Sequence, residues 1–149
     1  MFQVDIYTTG KLNKLDIEDK TALGAIETIY NYGEDEVIFK FDDDIGFSAW
    51  LSGDISDSWF DIINLMKDLE SSKNEFSMQF PSQTFWHYWE FKEIDGSKWE
   101  IRIYWGHNEK KTFRVQKGIF KKEFNKIIVR IESDLKKQGY KLSDFREYQ

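Results

Sequence analysis

The sequence predicts an α+β fold: three helices packed on a largely antiparallel sheet of about seven strands, in the order β-α-β-β-α-β-β-β-β-α. Three observations carry this. Short runs alternate apolar and polar residues, as half-buried strands do. Three other stretches repeat their apolar residues every three or four positions, as amphipathic helices do. The runs from residue 76 onward follow one another as a meander before the last helix. No linker, repeat or Gly/Ser tract interrupts the pattern and Pro81 is the one proline, so residues 1–149 are read as a single α+β domain. A chain of this length can bury about 70% of its unfolded surface around one core.

The elements follow in order. Phe2, Val4 and Ile6 alternate, giving a first strand over Phe2–Thr8. A helix is expected over Asp16–Tyr32, with Ala22, Leu23, Ala25, Ile26, Ile29 and Tyr30 on one stripe. Asp16, Glu18 and Asp19 suit its positive N-terminal end, and Gly33 is placed to stop it. Val37, Phe39 and Phe41 alternate, then Ile45, Phe47, Ala49 and Leu51, with Asp42, Asp43 and Asp44 supplying turn chemistry between them. A second helix over Ser58–Ser71 points Trp59, Ile62, Ile63, Met66 and Leu69 inward, capped by Asp57 or Ser56. Phe76, Met78 and Phe80 form a strand that Pro81 is expected to end, and Phe113 and Val115 mark the last strand. The final helix carries Phe120, Phe124, Ile127, Ile128, Ile131 and Leu135 at helical spacing and ends at Gly139. Its lysines and Arg130 are interleaved with Glu123, Glu132 and Asp134, the pattern of a solvated face.

Between Phe85 and Trp105 lies the most aromatic part of the chain, holding four of its six tryptophans. A two-residue Asp95-Gly96 turn would set Phe91 opposite Glu100 and mix apolar and charged residues on one face. A three-residue loop, Asp95-Gly96-Ser97, instead pairs Phe91 with Ile101, Trp89 with Ile103, Lys92 with Glu100, Glu90 with Arg102, and Tyr88 with Tyr104. Opposite charges and paired aromatics are favourable across strands by roughly 0.2–1 kcal/mol each, so the second register is preferred. It leaves Trp86, Tyr88 and Tyr104 beside Glu90 and Arg102 on the face away from the helices, an aromatic patch rimmed by charge.

Composition narrows the function. The net charge is −6 and cysteine is absent, which removes disulfides, thiol nucleophiles and cysteine-ligated metals. Acidic residues gather early (Glu34, Asp35, Glu36, Asp42, Asp43, Asp44, Asp54, Asp57, Asp61) and basic residues late, from Lys110 to Lys137. Nucleic-acid binding calls for a basic footprint, so no nucleic-acid partner is expected. No apolar run is long enough for a membrane span, and the N-terminus reads as a strand rather than a signal peptide. A cytoplasmic location is the expectation.

Chemistry-bearing motifs are sparse. His87 and His107, the two histidines, are expected on the core face near a sheet end as diagonal neighbours, with no third ligand beside them. Asp42, Asp44 and Gly46 match only the start of a calcium loop, since Gly53 stands where its closing glutamate belongs. Nucleophile-elbow, phosphate-cradling and dinucleotide motifs are absent. No enzyme activity, metal or cofactor is therefore expected.

A small acidic domain with these aromatics and acid clusters, opening on MFQVDIYTTG and carrying the acidic hairpin Glu34–Asp57, resembles the immunity proteins of bacterial toxin–immunity pairs. The resemblance implies a stoichiometric inhibitor of a cognate toxin, often a nuclease, which must itself be basic to hold nucleic acid. Two surfaces could serve. Asp42, Asp43, Asp44, Asp54 and Asp57 would engage a basic cleft, with Trp50 as central anchor because it faces away from Phe47 and Ala49. Trp86, Tyr88, Glu90, Arg102 and Tyr104 form the other. A small-ligand or enzymatic domain using the aromatic face with His87 and His107, and a regulatory module for a non-toxin protein, stand as alternatives. The sequence leaves the oligomeric state open.

Overall fold

The structure, a computed structural model, describes residues 1–149. Its seven strands divide three and four. β1 (Gln3–Tyr7), β2 (Glu36–Lys40) and β3 (Gly46–Trp50) form one antiparallel sheet in the order β1-β2-β3. Val4, Phe39 and Phe47 lie in register, as do Ile6, Val37 and Ala49, so one face is apolar. Tyr7, Glu36 and Trp50 form a row on the opposite face, and so do Asp5, Ile38 and Ser48.

The second sheet is a meander of β4 (Glu75–Ser82), β5 (Phe85–Ile94), β6 (Lys98–Trp105) and β7 (Glu109–Gln116). The β5–β6 register is the one preferred on charge and aromatic pairing, closed by the loop Asp95–Ser97. Asp95 and Gly96 there adopt positive φ, 49° and 81°, a conformation that suits Asp and Gly. Pro81 does not end its strand as expected. It pairs with Trp86 inside β4, which is an edge strand and therefore tolerates a residue with no N–H to donate.

The inner faces of the two sheets confront one another, so the three-stranded sheet shares with the helices the work of covering the four-stranded one. Phe39 touches Phe80, Phe85 and Trp89 across the gap, and Phe41 stacks on Phe113 at 4.6 Å. α3 (Lys117–Lys137) closes this layer with Phe120 and Phe124, which meet Phe2, Phe39, Trp89 and Phe91.

α1 (Ala22–Ile29) is shorter than expected. Thr21 caps it, its hydroxyl accepting the Gly24 N–H at 3.0 Å, while the Asp16 carboxylate accepts the Glu18 N–H at 2.9 Å and closes a turn ahead of the helix. Short acidic side chains compete for backbone donors in this way and favour turns over helix interiors. Glu147, from the C-terminal end, supplies the anion at the helix start by accepting the Ala22 and Leu23 N–H groups. α1 is tied to α3 through Tyr30, which donates to the buried Asp134 at 2.7 Å, a carboxylate also held by Arg130 at 3.0 Å.

Ser58, not Asp57 or Ser56, holds the N-cap position of α2 (Trp59–Glu70), and its hydroxyl donates to the Asp54 carbonyl instead of capping the helix. No helix is long and apolar enough to cross a membrane.

Candidate functional site: two open sheet faces

With the inner faces packed together, each sheet keeps an outer face that no other element covers, and the sequence-predicted residues distribute between them.

The outer face of β1–β2–β3 holds Trp50 where the sequence placed it, opposite Phe47 and Ala49 in its strand. Two tyrosines join it. Tyr7 lies in the same cross-strand row, across Glu36, and is 50% exposed. Tyr32 is 64% exposed and packs on the Trp50 indole with ring centroids 6.3 Å apart. Tyr7 was legible, since it falls out of phase with Phe2, Val4 and Ile6. Tyr32 was hidden inside the over-long helix. Glu36 is fixed by Ser48, whose hydroxyl donates to it at 2.7 Å, and Asp5 pairs with Lys40 at 2.9 Å. The Lys40 ammonium, by hydrogen bonding, holds the Asp5 carboxyl below its ordinary value.

Asp42, Asp43 and Asp44 form the hairpin tip at the far end of these strands, about 20 Å from the Trp50 row at 3.4 Å per residue. Asp43 and Asp44 are exposed. Asp42 has a structural task, accepting the Asp44 and Ile45 N–H groups at 2.9 and 2.8 Å.

Asp54 is a correction to the sequence reading. It is 1% exposed and its carboxylate is consumed inside the fold, so it cannot meet a partner. One oxygen accepts the Trp50 N–H at 2.8 Å, and the other accepts the Ser82 hydroxyl at 2.5 Å and the Thr84 hydroxyl. The turn Leu51–Ile55 makes this possible, because Gly53 at φ 110° swings the chain back on itself. A Cβ at Gly53 would sit 3.3 Å from the Tyr32 ring, so this glycine also seats the tyrosine beside Trp50. Asp57 is exposed near Glu27, whose carboxyl is raised above its ordinary value by burial first and by the Asp57 charge second.

The outer face of β4–β5–β6–β7 is polar and aromatic in rows. Tyr88 and Tyr104 pair at 6.0 Å between ring centroids, Glu90 faces Arg102, and Trp86 is 43% exposed at one end. A groove of about 460 Å³ runs over the charged rows.

The two histidines part company. His107 falls in the exposed turn after β6 and does not join His87 on the buried face, because pairing stops at His87–Trp105. His87 is 5% exposed, stacked on Phe85 at 3.9 Å, edge-on to Phe47, and accepts the Trp89 indole N–H at 3.3 Å. Burial drives its pKa from 6.5 down to about 4, partly offset by the charge of Asp54. The folded state thus takes up the proton later than the unfolded chain as pH falls. Stability contributed by neutral His87 is complete above pH 6.5 and is lost on acidification toward pH 4. The slope there is about 1.4 kcal/mol per pH unit, or about 3 kcal/mol in all. Denaturant titrations of wild type and His87→Gln between pH 7 and 5 check this. The stability difference between the two proteins should shrink steadily with acidification, and a constant difference would assign the slope elsewhere.

Comparison with protein-family models, with curated proteins and with solved structures gives no match.

Proposed function

We propose that this chain is an immunity-type inhibitor that binds a basic, nuclease-class protein toxin in a stoichiometric complex, through the outer face of β1–β2–β3. The observation that carries the reading is the Trp50 row. Three aromatic side chains, Tyr7, Trp50 and Tyr32, stand together on an uncovered sheet face whose surrounding charges are mostly acidic. Glu34, Glu36, Asp43 and Asp44 outnumber Lys40, whose charge is already met by Asp5, and Lys111, which lies 3.9 Å from Asp42 at the hairpin tip. Tryptophan and tyrosine dominate binding hot spots because they bury large areas with few rotamers to freeze.

A nuclease surface must be basic to hold phosphates, so an acidic face is drawn to it at long range and complements it on contact. The span from Trp50 to the Asp43–Asp44 tip fits within one interface of ordinary size, about 800 Å² per partner. Asp43 and Asp44, which make no internal bond through their side chains, would steer the encounter. Trp50 would hold the complex.

Affinity capture with the full chain from source cells and medium, followed by assay of the recovered polypeptide for nuclease activity, tests the reading. The expected result is a basic nuclease inhibited at one-to-one stoichiometry. Trp50→Ala should then weaken binding by at least about 2 kcal/mol, roughly 30-fold, mostly through faster dissociation. Asp43→Ala combined with Asp44→Ala should slow association and flatten its dependence on salt. An acidic or neutral partner, or a captured nuclease that the chain does not inhibit, would overturn the assignment.

A further inference from the structure

The outer face of the four-stranded sheet carries a charge pattern that the proposed function does not use. Its rows run straight across all four strands. The first is Glu75, Lys92, Glu100, Arg114, alternating in sign at each step. The next is Ser77, Glu90, Arg102, Thr112, and the third is Gln79, Tyr88, Tyr104, Lys110. All are exposed except Tyr88, Glu90, Glu100 and Tyr104, which are half-buried, and no element of the chain lies over them.

An alternating row of even length has a particular property. Turned end for end and laid on itself, it meets opposite charge at every position. We infer that this face pairs two copies of the chain about a two-fold axis running along the strands, midway between β5 and β6. That operation lays β4 on the second copy's β7 and β5 on its β6. Glu75 then meets Arg114 of the second copy, Lys92 meets Glu100, and Glu90 meets Arg102. In the remaining rows Ser77 meets Thr112, Gln79 meets Lys110, and Tyr88 meets Tyr104. No like charges meet anywhere in the three rows. Such an isologous contact is the commonest geometry of homo-oligomers, and each pair occurs twice by symmetry.

The chemistry of the face suits a copy of itself better than a strongly charged partner. Lys92, Arg102, Lys110 and Arg114 stand interleaved with Glu75, Glu90 and Glu100, a net of one positive charge, so there is no large field of one sign to steer a basic or an acidic protein. The groove over the charged rows is lined by Glu75, Glu90, Lys92, Glu100 and Arg102, both signs together, and accepts the mixed side chains of the facing copy. Tyr88, Tyr104 and the exposed Trp86 supply aromatic area at one end. Four strands about 4.8 Å apart and about eight residues long cover roughly 500 Å² per copy. The total of roughly 1,000 Å² lies at the lower limit for a specific interface, which makes the pairing concentration-dependent.

The test uses charge-complementary variants of the full chain. Glu90→Arg makes the central pair of positions wholly basic and Arg102→Glu makes it wholly acidic. Sedimentation of wild type from micromolar to millimolar concentration should show the mass rising from one copy to two. Each variant alone should stay at one copy where wild type is paired, since like charges then meet across the axis, a loss of at least about tenfold in self-association. Mixing the two variants should restore the two-copy mass, which a folding defect cannot do. Lys92→Glu with Glu100→Lys repeats the test one row away, should either first variant fail to fold. A single-copy mass for wild type throughout, paired single variants, or mixtures of folded variants that stay unpaired would each overturn the inference. Binding of the toxin through the other sheet would be untouched by these variants, so this outcome and that of the inhibition assay are read separately.

Discussion

Asp54→Ala lowers stability by about 3–5 kcal/mol, the range expected when a buried hydrogen-bond network loses its shared acceptor. The substitution takes the acceptor from the Trp50 N–H and from the Ser82 and Thr84 hydroxyls; Asp54 is 1% exposed and Ser82 8%, while Thr84 lies at the exposed edge of the site. A buried donor stripped of its partner costs about 1–3 kcal/mol, and hydrogen bonds to a charged group are the stronger kind. The carboxylate also joins two parts of the fold. It fastens the turn after β3 to the end of β4 and the start of β5, and so holds the two sheets together at one corner. Thermal unfolding should report a midpoint about 6–20 °C lower, at about 2–4 °C per kcal/mol for a chain of this size. Asp54→Asn, which keeps the shape and part of the acceptor capacity, should recover some of the loss. A midpoint within a degree or two of wild type for Asp54→Ala would mean that water replaces the carboxylate and that the corner is held by packing alone.

Phe39→Ala costs about as much, 3–5 kcal/mol by the usual scale for deleting a buried phenyl group, for an unrelated reason. Phe39 has no exposed surface and its ring lies 5.2 Å from Trp89, 5.8 Å from Phe80, 6.0 Å from Phe85 and 6.3 Å from Phe124. Those four rings belong to β4, β5 and α3, which are rigid elements that cannot all close on one void. The cavity term is therefore kept almost in full, and the edge-to-face pair with Trp89, worth about 0.5–1.5 kcal/mol, is lost with it. Phe39→Leu fills most of the space and should cost less than half as much in a denaturant titration. Equal losses for alanine and leucine would show that ring geometry, not volume, holds the sheets.

The contrast between these two positions measures what could be read from the sequence. Phe39 was legible as core because alternation along Val37, Phe39 and Phe41 fixes the face of a strand from the pleat alone. The β5–β6 register was legible for a similar reason, since only one loop length puts Lys92 on Glu100 and Glu90 on Arg102. Asp54 was not. Its neighbours Asp42, Asp43, Asp44 and Asp57 invited a reading as acidic surface, and only the reversed chain at Gly53 turns it inward. The division of seven strands into two sheets was hidden too. Alternation tells which side of a strand is apolar but not what lies against it. Pro81 misled because its meaning depends on being at an edge, a property of the sheet rather than of the local sequence.

The arrangement of the core also dictates how the chain must assemble. Every strand pairs with a neighbour in sequence, so β2–β3 and the whole β4–β7 meander need only short loops to zip up. β1 is different. Its outer neighbour is α3, through Phe2 stacked on Phe120 at 4.4 Å and the Val4 N–H donated to Glu123, a contact between residues 119 apart. Closing a loop of that size takes entropy that only the finished hydrophobic layer returns. β1 can pair with β2 across the intervening helix, yet its other side is not covered until α3 docks. The Tyr7–Trp50 face is thus built on a strand whose free side is closed only when the last helix docks.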